Sequence, residues 1–100
     1  MKTSFELGED LLTACLNRDK DTAESLILQG ADVNYEKFWH GTPLFYAIHA
    51  NDIEMIKLLL KHGADAKKEV RLLGGSIDAI VFARYTEKNE ELANFLEWHS

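Results

Sequence analysis

The stretch Gly41–Lys67, GTPLFYAIHANDIEMIKLLLKHGADAK, decides the fold. Proline belongs in a helix only at its first position, where the missing N–H leaves no bond unmade, so Pro43 marks a helix start. Thr42 before it is a residue type that caps helices through its hydroxyl. Leu44, Ala47 and Ile48 follow at helical spacing. Asn51 to Glu54 has the Asn-x-x-Glu form of a second cap with a reciprocal acid. Ile53, Ile56, Leu59 and Leu60 then form an apolar stripe, with Glu54, Lys57 and Lys61 turned to water. Gly63 stops that helix, because glycine adopts the left-handed conformation after a helix end without steric cost. The stretch predicts a helix, a short turn, a second helix and a loop.

Outward from it, the chain repeats. LILQGADVN at Leu26–Asn34 matches LLKHGADAK at Leu59–Lys67, with Gly30 and Gly63 standing 33 residues apart. The same shift lays Leu11, Ala14 and Asp19 over Leu44, Ala47 and Asp52. A looser third copy, EELANFLEW at Glu90–Trp98, resembles the run beginning at Ile53, but Glu91 follows Glu54 by 37 residues. The four extra residues are assigned to AKKEVRLLGGS, Ala66–Ser76, as a lengthened loop or hairpin. Gly74-Gly75 reads as a turn before a helix capped by Ser76 or Asp78. In the first copy Glu9 and Asp10 are expected to cap the opening helix and favour its N-terminal dipole.

With Thr-Pro-Leu early and Gly-Ala-Asp at the end, the central unit resembles an ankyrin repeat. The resemblance covers Asp10 to about Trp98 as about three repeats, and it weakens at the ends, where terminal repeats turn a polar face to solvent. It implies an all-α solenoid of stacked helix-turn-helix units with protruding β-turn finger loops. The whole chain, 1–100, is then one domain: repeat 1 about 8–34, repeat 2 about 35–67, and repeat 3 about 68–100 with a lengthened loop at 66–76. Phe45 stands where the family usually has His, so apolar packing is expected to replace that motif's hydrogen bonds. His40 and Lys37 depart from the usual Gly and Asp of the finger and call its tight turn into question. Ala83 or a neighbour is expected as the small residue between the third pair of helices.

The resemblance also implies a binding protein whose contact surface is the finger tips and the exposed ridge of the first helices. By register the tip positions are Glu36, Phe38, Trp39 and Gly41, with His49 and Ala50 on the ridge. Arg71, Leu72 and Leu73 occupy the next finger, and Tyr85 the next ridge. Two readings of Phe38 and Trp39 stand: partner anchors, since aromatic and Arg side chains dominate interface energetics, or a local mini-core against Leu72 and Leu73. The expected function is a non-catalytic protein–protein interaction module acting as a small inhibitor, antitoxin-like protein or adaptor. A structural protein that self-associates through its apolar fingers is the alternative.

A net charge of −6 and a pI near 5.1 oppose nucleic acid or an anionic membrane and favour a basic or neutral protein partner, with the chain itself a monomer. A single cysteine precludes an internal disulfide, and neither a signal peptide nor a run near the ~20 apolar residues of a membrane helix is present. A soluble, cytoplasmic protein, complete as it stands, is expected. His40, His49, His62 and His99 form no His-x-x-x-His pair, and no metal or other cofactor is expected. Cys15 aligns with Ile48, an inner packing position, so a buried thiol rather than a nucleophile is expected, and no enzyme activity. Glu87, Glu90, Glu91 and Glu97 read as a solvated face or as a steering patch for a basic partner. Trp98 either covers the end of the core or adds to a contact surface.

Overall fold

The computed structural model describes residues 2–72 and 75–99. Three helix pairs stack side by side: α1 (Ser4–Leu16) with α2 (Lys20–Leu28), α3 (Pro43–His49) with α4 (Ile53–Lys61), and α5 (Ala79–Val81) with α6 (Glu90–Trp98). Between the second and third pairs an antiparallel hairpin joins β1 (Val70–Leu72) to β2 (Gly75–Ile77). The core is one apolar cluster running through all three pairs. Leu11, Ala14, Ala47, Ile56, Leu59, Ala83 and Leu96 are at its centre. Ala14, Ala47 and Ala83 are the buried small residues at matching places in the three first helices, so Ala83 is the one the third pair uses.

Each first helix ends in the same turn. Arg18, Asn51 and Lys88 take φ of 58°, 53° and 53°. The next residue closes the turn: Asp19 N–H donates to the Ala14 carbonyl at 2.9 Å, and Asp52 N–H to Ala47 at 3.0 Å. That same residue caps the following helix through its side chain, Asp19 accepting from Thr22 N–H, Asp52 from Met55 and Asn89 from Leu92. The cap is therefore Asp52 and not Asn51, which is occupied as the left-handed hinge one residue earlier. L-residues are held in that region at about 1 kcal/mol, a strain glycine does not feel. Lys88→Gly is accordingly expected to raise the unfolding free energy by about 1 kcal/mol, read from urea or thermal melts, and a loss would show that the Lys88 side chain is needed.

Two other expected caps are corrected. α1 begins at Ser4, ahead of Glu9 and Asp10, because Thr3 and Glu6 form a complete capping box with each other's backbone N–H. Thr42 is the residue before α3, yet it makes no cap hydrogen bond; its side chain is buried instead of folding over the helix end. Asp78, not Ser76, caps α5, accepting from Val81 N–H at 2.8 Å.

The four extra residues of the third repeat do not all lie in the loop. The residues preceding the first helices, Thr42 and Asp78, stand 36 apart, whereas those preceding the second helices, Asp52 and Asn89, stand 37 apart. Against a period of 33, three extra residues form the hairpin and one enters the helix. α5 accordingly widens into a π turn over Phe82–Thr86, with Glu87 N–H donating to the Phe82 carbonyl at 3.0 Å and Asn89 N–H reaching back six residues to Ala83 at 2.8 Å.

The exposed flank of the last repeat is polar by construction. Where the first two repeats have buried Cys15 and Ile48, the third has Arg84. Its guanidinium bonds Glu90, Asn94 at 3.1 Å, and Glu97. That is the solvated outer face a terminal repeat requires.

Candidate functional site

The first finger is a tight turn despite Lys37 and His40. Lys37 N–H donates to the Gly41 carbonyl at 2.9 Å, and the Lys37 carbonyl accepts from His40 and Gly41 at 2.8 and 3.0 Å. Gly41, at φ +98°, supplies the reversal, and Trp39 takes φ 71°. At the tip the Phe38 and Trp39 rings pack edge-to-face with centroids 4.5 Å apart, yet they remain 61% and 43% exposed.

The foot of the finger is clamped to α1. Tyr35 lays its ring against Gly8, donates its hydroxyl to Glu9 Oε2 at 2.7 Å, and meets Phe5 edge-on at 6.3 Å. Lys37 Nζ reaches the other Glu9 oxygen at 3.1 Å. The Tyr35 hydrogen bond, then that of Lys37, holds the Glu9 carboxyl below the usual carboxylate range. Burial, with the same bond, pushes the Tyr35 phenol up to about 12. Because the unfolded chain binds the Glu9 proton more readily than the folded one, the clamp's stabilisation is present above the unfolded carboxylate value, about 4.3, and is lost as pH falls through the lower folded value. Glu9→Gln is expected to flatten the acid limb of a Tm-against-pH curve below the ordinary glutamate value of about 4.3; an unchanged limb would remove Glu9 from the linkage.

Between finger and ridge lies an open, almost wholly apolar pocket of about 330 Å³. α3 contributes Phe45, Tyr46 and His49 to its wall, and His40 enters from the finger. Leu72 comes from β1 and Phe82 from the start of the π turn, so both departures of the third repeat border the same space. Leu16, at the end of α1, closes the near side. Phe45 is buried with its ring 5.0 Å from that of Phe82, apolar packing in the place of the family's usual His.

Of the residues expected at the surface, Glu36 accepts from Arg71 N–H at 3.4 Å and lies near Lys68, tying the two fingers together. Arg71 is exposed, Leu72 is drawn against the core, and Leu73 lies outside the described residues. On the ridge, His49 Nδ1 meets Glu87 at 3.1 Å, and the Ala50 carbonyl accepts from Arg18 at 2.6 Å. Tyr85 projects from the π turn, exposed. Glu87 is thus a ridge partner of His49, while Glu90 and Glu97 belong to the Arg84 network. Trp98 is exposed at the end of α6. Sequence reasoning missed Tyr46, Phe82 and Leu16; the Phe45 departure was the signal available for Phe82, since a His-to-Phe exchange calls for an apolar neighbour.

Cys15 is fully buried and its thiol is pushed up to about 12, chiefly by burial and then by the Asp52 charge. Among the described residues no group of three or more His, Cys, Asp or Glu side chains converges as a metal site would require, and no helix is long and apolar enough to cross a membrane.

Stacked helix pairs, hairpin fingers and an open groove between them define a repeat-type binding scaffold. The model of ankyrin repeats in three copies matches residues 11–96. The chain belongs to the ankyrin-repeat family. It is 33% identical over 82 residues to the human ankyrin repeat and SOCS box protein 5, covering 82% of this chain and 25% of that protein. It is 37% identical over 65 residues to the mouse 2-5A-dependent ribonuclease, covering 64% of this chain and 9% of the enzyme. A putative ankyrin repeat protein of Rickettsia bellii (strain RML369-C) is 34% identical over 67 residues, which is 67% of this chain and 38% of that protein. The chain thus spans a quarter or less of the first two relatives. Ankyrin repeats are protein–protein interaction modules, and the family is generally non-catalytic.

Proposed function

We propose that this chain is a non-catalytic module that binds a protein partner through the Phe38–Trp39 tip, with His49, Ala50 and Tyr85 on the ridge and Glu36, Arg71 and Leu72 beside the second finger. Occluding a surface of that partner, as a small inhibitor, antitoxin-like protein or adaptor, is the activity. The observation that carries the reading is Trp39: a bulky residue held at φ 71° with much of its ring in water, at a turn where glycine would be relaxed. Strain kept at an exposed aromatic is strain kept for contact.

The test separates contact from packing. In Trp39→Gly the relieved backbone offsets the lost ring contacts, so the unfolding free energy should hold steady or rise by up to about 1 kcal/mol. Capture of the native partner by this variant, and by Phe38→Ser/Trp39→Ser, should be lost. A local mini-core would instead lose roughly 2 kcal/mol or more on the same change. Equal partner recovery by wild type and the double variant would sink the tip assignment, and a concentration-dependent mass abolished by Trp39→Ser would replace a foreign partner with a second copy.

A further inference from the structure

We infer that the pocket between finger and ridge receives one bulky apolar side chain of the partner, flanked in the partner's chain by Arg or Lys. The inference rests on the protein-binding reading above and adds the chemistry of what is bound. Its first ground is shape and lining: Phe45, Leu72, Phe82 and Leu16, together with Tyr46 and two histidines, line about 330 Å³ open to solvent. That lies at the lower end of ligand pockets, about 300–1,000 Å³, and suits a Leu, Met or Phe side chain. The unusual features of repeat 3, the lengthened hairpin and the π turn, supply Leu72 and Phe82 to this wall.

The second ground is the charge around the mouth. Glu87 meets the lining residue His49, Glu36 accepts from the N–H beside Leu72, and Glu9 lies farther off at the foot of the finger, bonded to Lys37. Their side chains are only 25%, 30% and 28% exposed, whereas their cationic or His partners His49, Lys68 and Lys37 are 70%, 37% and 43% exposed. Glu87 is thus the fixed member of its pair and His49 the exposed one, whereas Lys68 is itself held by the Asn34 carbonyl at 3.1 Å. Of the nearby arginines, Arg18 is engaged by the Ala50 carbonyl, and strand alternation turns Arg71 to the face opposite Leu72. Glu87, paired among the described residues with a histidine and not with Lys or Arg, is the carboxylate an arriving Arg or Lys would meet, and the net charge of −6 favours that approach.

The probe is a displayed library of random heptapeptides selected against the full chain. Enriched peptides should share a bulky apolar residue with Arg or Lys within three positions of it. For a synthetic peptide of that pattern, followed by fluorescence anisotropy, Leu16→Glu should weaken binding about tenfold or more. Leu16 is 60% exposed, so the fold is expected to survive the change, with circular dichroism as the check. Glu87→Gln should weaken binding about threefold and flatten its salt dependence. Enrichment of acidic or uncharged flanks, or wild-type affinity in Leu16→Glu, overturns the inference. If the native partner is still captured through Phe38 and Trp39 in that case, only the pocket assignment fails and the binding reading stands.

Discussion

Gly41→Ala should be among the most damaging single-methyl changes in the chain, lowering the unfolding free energy by about 3 kcal/mol. Two penalties coincide there. The backbone at φ +98° disfavours any L side chain, worth about 1–2 kcal/mol. The new Cβ would also stand 3.0 Å from Phe45 Cβ and Cγ, and Phe45 is buried against Phe82 and cannot yield freely. Overpacking of that kind costs about 1–3 kcal/mol. Gly63→Ala is the matched control: φ is +97°, yet nothing lies within 4 Å of its added Cβ, so only the backbone term of about 1–2 kcal/mol should appear. Urea melts of the two variants side by side decide the matter, and equal losses would refute the steric half. Because Gly41 closes the finger, its alanine variant should also lose partner binding.

Gly8→Ala is expected to destabilise by about 2 kcal/mol although alanine is the better helix former. In an ordinary helix interior the exchange would gain about 1 kcal/mol. Here the added Cβ would fall 2.4–2.8 Å from three atoms of the Tyr35 ring. The ring is pinned by its hydroxyl on Glu9 and by Phe5, so either the clamp opens or α1 lifts from the finger. A drop in Tm of roughly 10 °C follows for a domain of this size. The double variant Gly8→Ala/Tyr35→Ser separates the causes: with the ring gone the helical gain returns, and a coupling above about 1 kcal/mol should appear in the cycle. Strict additivity would show that the close approach is not what holds the two together.

These two glycines also show how far the residues themselves could be read. The helix pairs were legible because Pro43, the Leu and Ile stripes, and the glycines at 30 and 63 act locally. The burial of Cys15 followed from register with Ile48. Gly8 was not legible, since its reason is a ring 27 positions later that packs on it only after the finger folds. The exchange of Asn51 for Asp52 as cap arose because both residue types cap helices, and only the left-handed turn at 51 tells them apart. At the surface, the register put Phe38, Trp39 and His49 at positions that are exposed. It could not assemble the pocket, because Leu16, Tyr46 and Leu72 come from three different repeats and converge only when those repeats stack.

The single residue lodged in the π turn has a geometric consequence. An added residue in a regular helix advances everything beyond it by about 100° and 1.5 Å, which would swing the next turn away from its partner helix. By taking the residue as a local widening over Phe82–Thr86, the chain confines that rotation to one turn, and Asn89 still arrives in phase to start α6. The bulge works as a phase corrector: the two helices of the last pair keep their alignment while the ridge around Tyr85 gains a contour the other repeats lack.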